Sequence, residues 1–203
     1  FRVDSHSRRP SGSLRLSVSL RSAPGSRFAV SGAVFASVFF LTVAARAAVP
    51  SLTHLFPAGG KQGTTFPVAL GGKIAGERAG VWVSGYGVTI SAPDAKGNAT
   101  VTIAPDAPPG LRLVRAFNAE GASAVRWFSV GILPEMAEAE PNDALGAGQK
   151  IDKQPVCVNG TLEKSGDIDG FTIQADAGRT IVAQVEAYAL GSPIDPVLNL
   201  FDE

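Results

Sequence analysis

The sequence predicts an all-β protein. A chain of 203 residues that is 45% hydrophobic carries 23 Gly and 14 Pro, a composition that favours many short strands over long helices. Its apolar residues also fall in short alternating runs separated by turn residues rather than at helical spacing. Charge is graded along the chain. The formal net charge is zero, but it divides into +6 for residues 1–47, +3 for 48–134 and −9 for 135–203. A nucleic-acid binder needs a cationic face on its folded part, and this chain has the opposite. An acidic final third suits a cation.

Arg8, Arg9, Arg15, Arg21 and Arg27 precede an apolar run from Phe28 to Ala45, which is followed by Ala45-Arg46-Ala47. Basic flank, apolar stretch and small-x-small step are the parts of a secretory leader. Residues 1–47 are therefore read as a leader, with cleavage after Ala47. A signal anchor is the competing reading, because about eighteen apolar or small residues just span a bilayer. In both cases everything after Val49 is exported and the Arg-rich flank stays inside, so the protein touches a membrane only if the leader is uncleaved. The chain opens on Phe1 and its only Met is Met136, which predicts a piece of a longer polypeptide. Val197 to Glu203 reads as a strand entering an uncompleted turn, so the second sandwich is expected to lack its last strands.

Residues 48–131 read as the first sandwich. A first strand beginning at Pro50, then Thr64 to Leu70, Val81 to Val83, Tyr86-Val88-Ile90, Thr100 to Ile103, Leu111 to Phe117 and Val125 to Val130 suit strands. Gly59-Gly60, Lys96-Gly97-Asn98, Pro108-Pro109-Gly110 and Asn118 to Gly121 punctuate them. Pro67 has no N–H for an interior ladder, which predicts an edge strand or bulge there. Trp82 and Trp127, each among alternating Val, are read as core. The stretch Pro50 to Thr64, the run Val68-Ala-Leu-Gly-Gly and the closing Asn118-Ala-Glu-Gly-Ala-Ser resemble the immunoglobulin-like IPT/TIG family. The resemblance implies an immunoglobulin-like spacer and carries no catalytic residues over.

Residues 132–137 form a short linker, held extended because Leu133 precedes Pro134. The last domain, 138–203, opens on Glu138, Glu140, Asn142 and Asp143, with Ala139 and Pro141 between them. In an extended backbone alternate side chains share a face, so Glu138, Glu140 and Asn142 point one way. Asn142 or Asp143 caps a short Ala144-Leu145 turn that Gly146 ends. If Asp167 and Asp169 fold back onto this segment, several carboxylates meet in a small volume and something must neutralise them. Hard oxygen donors without His or Cys match calcium better than zinc or copper. Solvated loop acids and caps are the competing reading. Cys157, the only cysteine, lies in an apolar strand that the Asn159-Gly160 step appoints to end in a turn, where Cys acts as a small hydrophobe.

The order of motifs sharpens this. Glu138-x-Glu-Pro-Asn-Asp, then Val158-Asn-Gly-Thr-Leu, Gly166-Asp-Ile-Asp-Gly-Phe-Thr-Ile, Ala177-Gly-Arg-Thr-Ile and Leu190 to Leu200 closely resemble the bacterial pre-peptidase C-terminal (PPC) domain family. The resemblance implies a jelly-roll-like β-sandwich attached to exported peptidases or other secreted and surface proteins. In collagenase members a related domain binds calcium at its opening segment and assists substrate binding. Carried over by position, the ligands are Glu138, Glu140, Asn142, Asp143, Asp167 and Asp169. Gly170 stands where the family commonly has Trp or Tyr. Phe171, Ile173, Ile181, Val185, Leu198 and Leu200 alternate as an inward face.

No catalytic set is legible. His6 lies in the leader, His54 sits in the first strand, and Gly121-Ala-Ser-Ala-Val lacks the second glycine of a nucleophile elbow. The expectation is a non-catalytic exported accessory module of a larger secreted, periplasmic or cell-surface bacterial protein, partnered by that protein's other domains. Two alternatives stay open. One is the front of a secreted peptidase or other hydrolase whose catalytic domain lies elsewhere. The other is a module that binds carbohydrate or an extracellular protein.

Overall fold

The computed structural model describes residues 2–5, 48–143, 148–164, 166–178 and 180–201. The leader reading therefore falls outside the described residues except for strand β1 (Arg2–Ser5), and so does the Ala144-Leu145 turn. No helix among the described residues is long and apolar enough to cross a membrane. The protein is all-β, as its composition and periodicity predict.

The first half is a two-sheet sandwich. One sheet runs β2 (Ser51–Phe56), β4 (Thr65–Lys73), β7 (Asn98–Ile103), β6 (Val88–Ile90), antiparallel throughout. The other runs β3 (Gly59–Lys61), β10 (Arg126–Gly131), β8 (Gly110–Asn118), β5 (Gly80–Val83), with β9 (Gly121–Ala122) hairpinned onto β8. Period-2 alternation, shifted in β2 by an irregularity between Leu52 and His54, explains the pairing of faces. Leu52, Leu55, Val68, Leu70, Val101 and Ile103 point inward from the first sheet, and Val114, Ala116, Phe128 and Val130 meet them from the second. Burying such a set at about 25 cal/mol per Å² is the main driving force for this half. The polar punctuation is put to use. Asp94 accepts from the N–H groups of Lys96 and Asn98, each at 2.8 Å, and so closes the turn into β7. Buried Asn118 donates to the carbonyls of Ala48 and Ala75, both at 2.8 Å, which ties the start of the sandwich to the β8–β9 hairpin.

Several expectations are corrected. Trp82 and Trp127 are not core: they are 49% and 39% exposed. The alternation that suggested burial decides the opposite, because Val81 and Val83 in β5, and Phe128 and Val130 in β10, take the inward positions and leave each Trp on the outer face. Gly59-Gly60 is strand rather than turn, pairing in parallel with Ser129 and Val130. Gly60 lies beneath the Phe66 ring, where an added Cβ would sit 2.3 Å from Cε1. Strand β4 is interior, between β2 and β7. Pro67 is tolerated because the β2 ladder ends at Ala69, so among the described strands Pro67 pairs with Thr100 of β7 alone.

In the second half, β13 (Cys157–Leu162) pairs in parallel with β11 (Glu135–Ala137) on one side and β1 on the other, and β12 (Gln149–Ile151) pairs in parallel with β14 (Phe171–Ile173). The stretch read as a linker thus joins a ladder from Glu135. The Asn159-Gly160 step does not turn the chain: β13 continues through it to Leu162. Half-buried Cys157 lies in this strand. From Gln174 to Phe201 the described residues hold one 3-10 turn, Tyr188–Leu190, and no strand. The inward face expected there is not formed: Ile181, Leu198 and Leu200 are exposed. Alternation predicts a face only where a neighbouring strand completes the ladder, and among the described residues none pairs with them.

Candidate metal centre

Backbone pairing positions the acidic residues before any side chain is considered. The β11–β13 ladder is extended one step by the Glu138 N–H, which donates to the Asn159 carbonyl at 2.8 Å. Gln149, at the start of β12, then grips the chain on both sides of Glu138. Its Oε1 accepts from the Ala139 N–H at 2.8 Å and its Nε2 donates to the Ala137 carbonyl at 3.0 Å. Asp169 arrives from the other direction, just ahead of β14, where the Gly170 N–H donates to the Asn142 carbonyl at 3.2 Å. The two acidic clusters, distant in sequence, are brought together by a pair of small parallel sheets.

The carboxylates form two groups that share one member. Ligand oxygens of Glu138, Glu140 and Asp169 lie within 4.8 Å of one another, and so do those of Glu140, Asp143 and Asp167. Glu138 and Asn142 converge as alternation predicts. The Asn142 side-chain amide donates to Glu138 Oε1 at 2.7 Å, and Asn142 is 1% exposed. Asn142 thus braces the site from within. Glu138 Oε2 accepts from the Thr161 N–H at 2.7 Å, and Glu140 Oε2 from the Asn142 N–H at 2.9 Å.

Asp169 has no such supply. Both of its carboxylate oxygens are shielded from solvent and neither meets a hydrogen-bond donor. Burial, then the adjacent Glu138 carboxylate, push its carboxyl up to about 7. Glu138 and Asp169 stand close enough to share a proton, but when both are ionised they are acceptors only. At 4.8 Å and an effective dielectric of about 20, two such charges repel by roughly 3–4 kcal/mol before solvent screening. Asp167 differs. Burial works to raise its carboxyl, but the Glu163 N–H and the Lys164 ammonium outweigh that and hold it below the usual range. Lys164 bridges Asp143 Oδ2 at 2.8 Å and Asp167 Oδ1 at 3.2 Å.

Sequence reasoning missed Gly160, Gln149 and the Thr161 N–H. A Cβ on Gly160 would lie 2.5 Å from Glu138 Oε2 and 3.4 Å from Asp169 Oδ2, so glycine is what lets the two carboxylates approach over β13. The signal was present as Asn159-Gly160, but that step resembles a turn until the strand beside it is known. Gly170 likewise leaves no room for a side chain, since its Cβ would meet the Asn142 carbonyl oxygen at 2.7 Å. His54, which sequence reasoning considered for catalysis, lies over Gly71 with Nδ1 3.1 Å from Thr53 Oγ1. Comparison of the chain with family models and with curated proteins finds no match.

What this arrangement can do chemically follows from its donors. Carboxylate oxygens, with neither His nor Cys among the clustered groups, suit a hard divalent cation and offer no soft ligand. An ion between Glu138, Glu140 and Asp169 would give the two Asp169 oxygens the positive partner that the protein itself does not supply there.

Proposed function

We propose that this chain is a non-catalytic accessory part of a larger exported bacterial protein, an immunoglobulin-like spacer followed by a PPC-like module whose opening segment binds calcium. The observation that carries the calcium reading is Asp169: two buried acceptor oxygens without a donor, facing Glu138 and Glu140. The ordered motifs from Glu138 to Leu200 support the module reading, and the acidic charge of residues 135–203 agrees with it. In this role the ion joins the start of the module to the segment before β14 and so stabilises the fold; Glu138, Glu140 and Asp169 would hold it, braced by Asn142, with Asp143 and Asp167 in the adjoining group.

Thermal unfolding in calcium and in EDTA tests this. Calcium at a hundred times its dissociation constant stabilises the fold by ~2.7 kcal/mol, a rise in Tm of roughly 5–10 °C for a unit of this size. Asp169→Asn and Glu140→Gln remove that gain, and Gly160→Ala removes it by pushing Glu138 away. Equal melting temperatures in calcium and EDTA would sink the calcium reading.

A second reading, a module that binds carbohydrate or extracellular protein, has one observation in its favour. Trp82 and Trp127 stand exposed on the outer face of the β3-β10-β8-β5 sheet, with Leu113 and Arg115 of β8 opposite them in register. Exposed indoles provide flat, rigid contact area with a polar N–H at the rim. Under this reading the protein is retained on insoluble polysaccharide or collagen, and Trp82→Ala with Trp127→Ala releases it. Wild type that passes through both without delay removes the reading.

A further inference from the structure

Lys164 lies in the acidic centre, paired with Asp143 and Asp167. The turn after β13 puts it there. Asp167 Oδ2 accepts from the Glu163 N–H and from the Lys164 N–H, the latter at 3.3 Å, while the Asp167 N–H donates to the Lys164 carbonyl at 3.3 Å. This holds Glu163 and Lys164 against the Asp167 carboxylate and brings the Lys164 ammonium to it. The Asp167 side chain is 0% exposed. Its Oδ1 is buried without a hydrogen-bond donor, and what it meets is the Lys164 ammonium, as an ion pair at 3.2 Å. The same ammonium donates to Asp143 Oδ2 at 2.8 Å.

We infer that Lys164 is a tethered cation that fills the Glu140, Asp143 and Asp167 side of the cluster, so that the centre takes one free divalent ion, between Glu138, Glu140 and Asp169, rather than two. This inference rests on the calcium reading. Charge supports it. The clustered side chains Glu138, Glu140, Asp143, Asp167 and Asp169 can carry more negative charge than one ammonium offsets, which leaves charge for a divalent ion to neutralise. The two groups share Glu140, however, and a second divalent ion would have to displace a cation held on the same chain at high effective concentration. The lysine thereby sets the stoichiometry of the site.

Equilibrium dialysis of the full chain against calcium alone, counting ions bound per chain, tests this with wild type, Lys164→Met and Lys164→Gln. Lys164 is largely exposed, so both substitutions are expected to fold, and circular dichroism checks that they do. Wild type binds one ion and each variant binds two. One ion in wild type and one in both variants overturns the inference and leaves the calcium reading standing, as does a wild type that binds two. No ion in wild type but one in the variants overturns the inferred stoichiometry together with the calcium reading. No ion in any of the three removes both.

Discussion

Asp169 is the residue on which the site turns, and its environment makes a pH prediction. In EDTA its carboxyl is raised to about 7 by burial and by Glu138. A carboxyl whose folded value lies above the unfolded one contributes stability that is complete below the unfolded value of 3.8 and is lost as pH rises through 7. Asp94 and Asp167 are shifted the other way, below 3.8, so their contributions fade only in stronger acid. Lys164 is shifted up from 10.5, chiefly by Asp143 and Asp167, so its contribution is already complete at neutral pH. Between pH 8 and 5.5 the change therefore belongs to Asp169 among these groups. The ion-free protein should melt roughly 2–5 °C higher at pH 5.5 than at pH 8, and Asp169→Asn should flatten that dependence. A slope that survives in Asp169→Asn would assign it to another group and remove Asp169 as its source.

At the scale of elements, strand existence was legible and strand facing was not always read correctly. The alternation in β7, exposed and buried by turns from Asn98 to Ile103, states both. In β5 and β10 the same alternation places Trp82 and Trp127 outward, against the expectation that they are core, because Val81, Val83, Phe128 and Val130 take the inward side. The energetic consequence is testable by denaturant unfolding. Phe128→Ala, at a fully buried position, should cost ~3–5 kcal/mol, whereas Trp82→Ala, half exposed, should cost less than about 1 kcal/mol. A Trp82→Ala loss as large as that of Phe128→Ala would return Trp82 to the core. Gly59-Gly60 and Asn159-Gly160 failed for a different reason. Glycine marks both turns and places where another group comes close, and only a neighbour such as the Phe66 ring or the Glu138 carboxylate tells the two apart.

For the whole molecule, the amino-acid sequence by itself determined the all-β class, most strands of the first sandwich but not β3 or β9, and the common facing of Glu138 and Asn142. Period-2 alternation and turn chemistry are local, and extended alternation is enough to aim Glu138 and Asn142 the same way. The tertiary structure decided what depends on distant partners. It placed Asp169 beside Glu138 through the β12–β14 pairing, divided the carboxylates into two groups joined at Glu140, and put the Lys164 ammonium into one of them. It also left Ile181, Leu198 and Leu200 outside any ladder, because an apolar face is made only when a second strand lies alongside to pair with it.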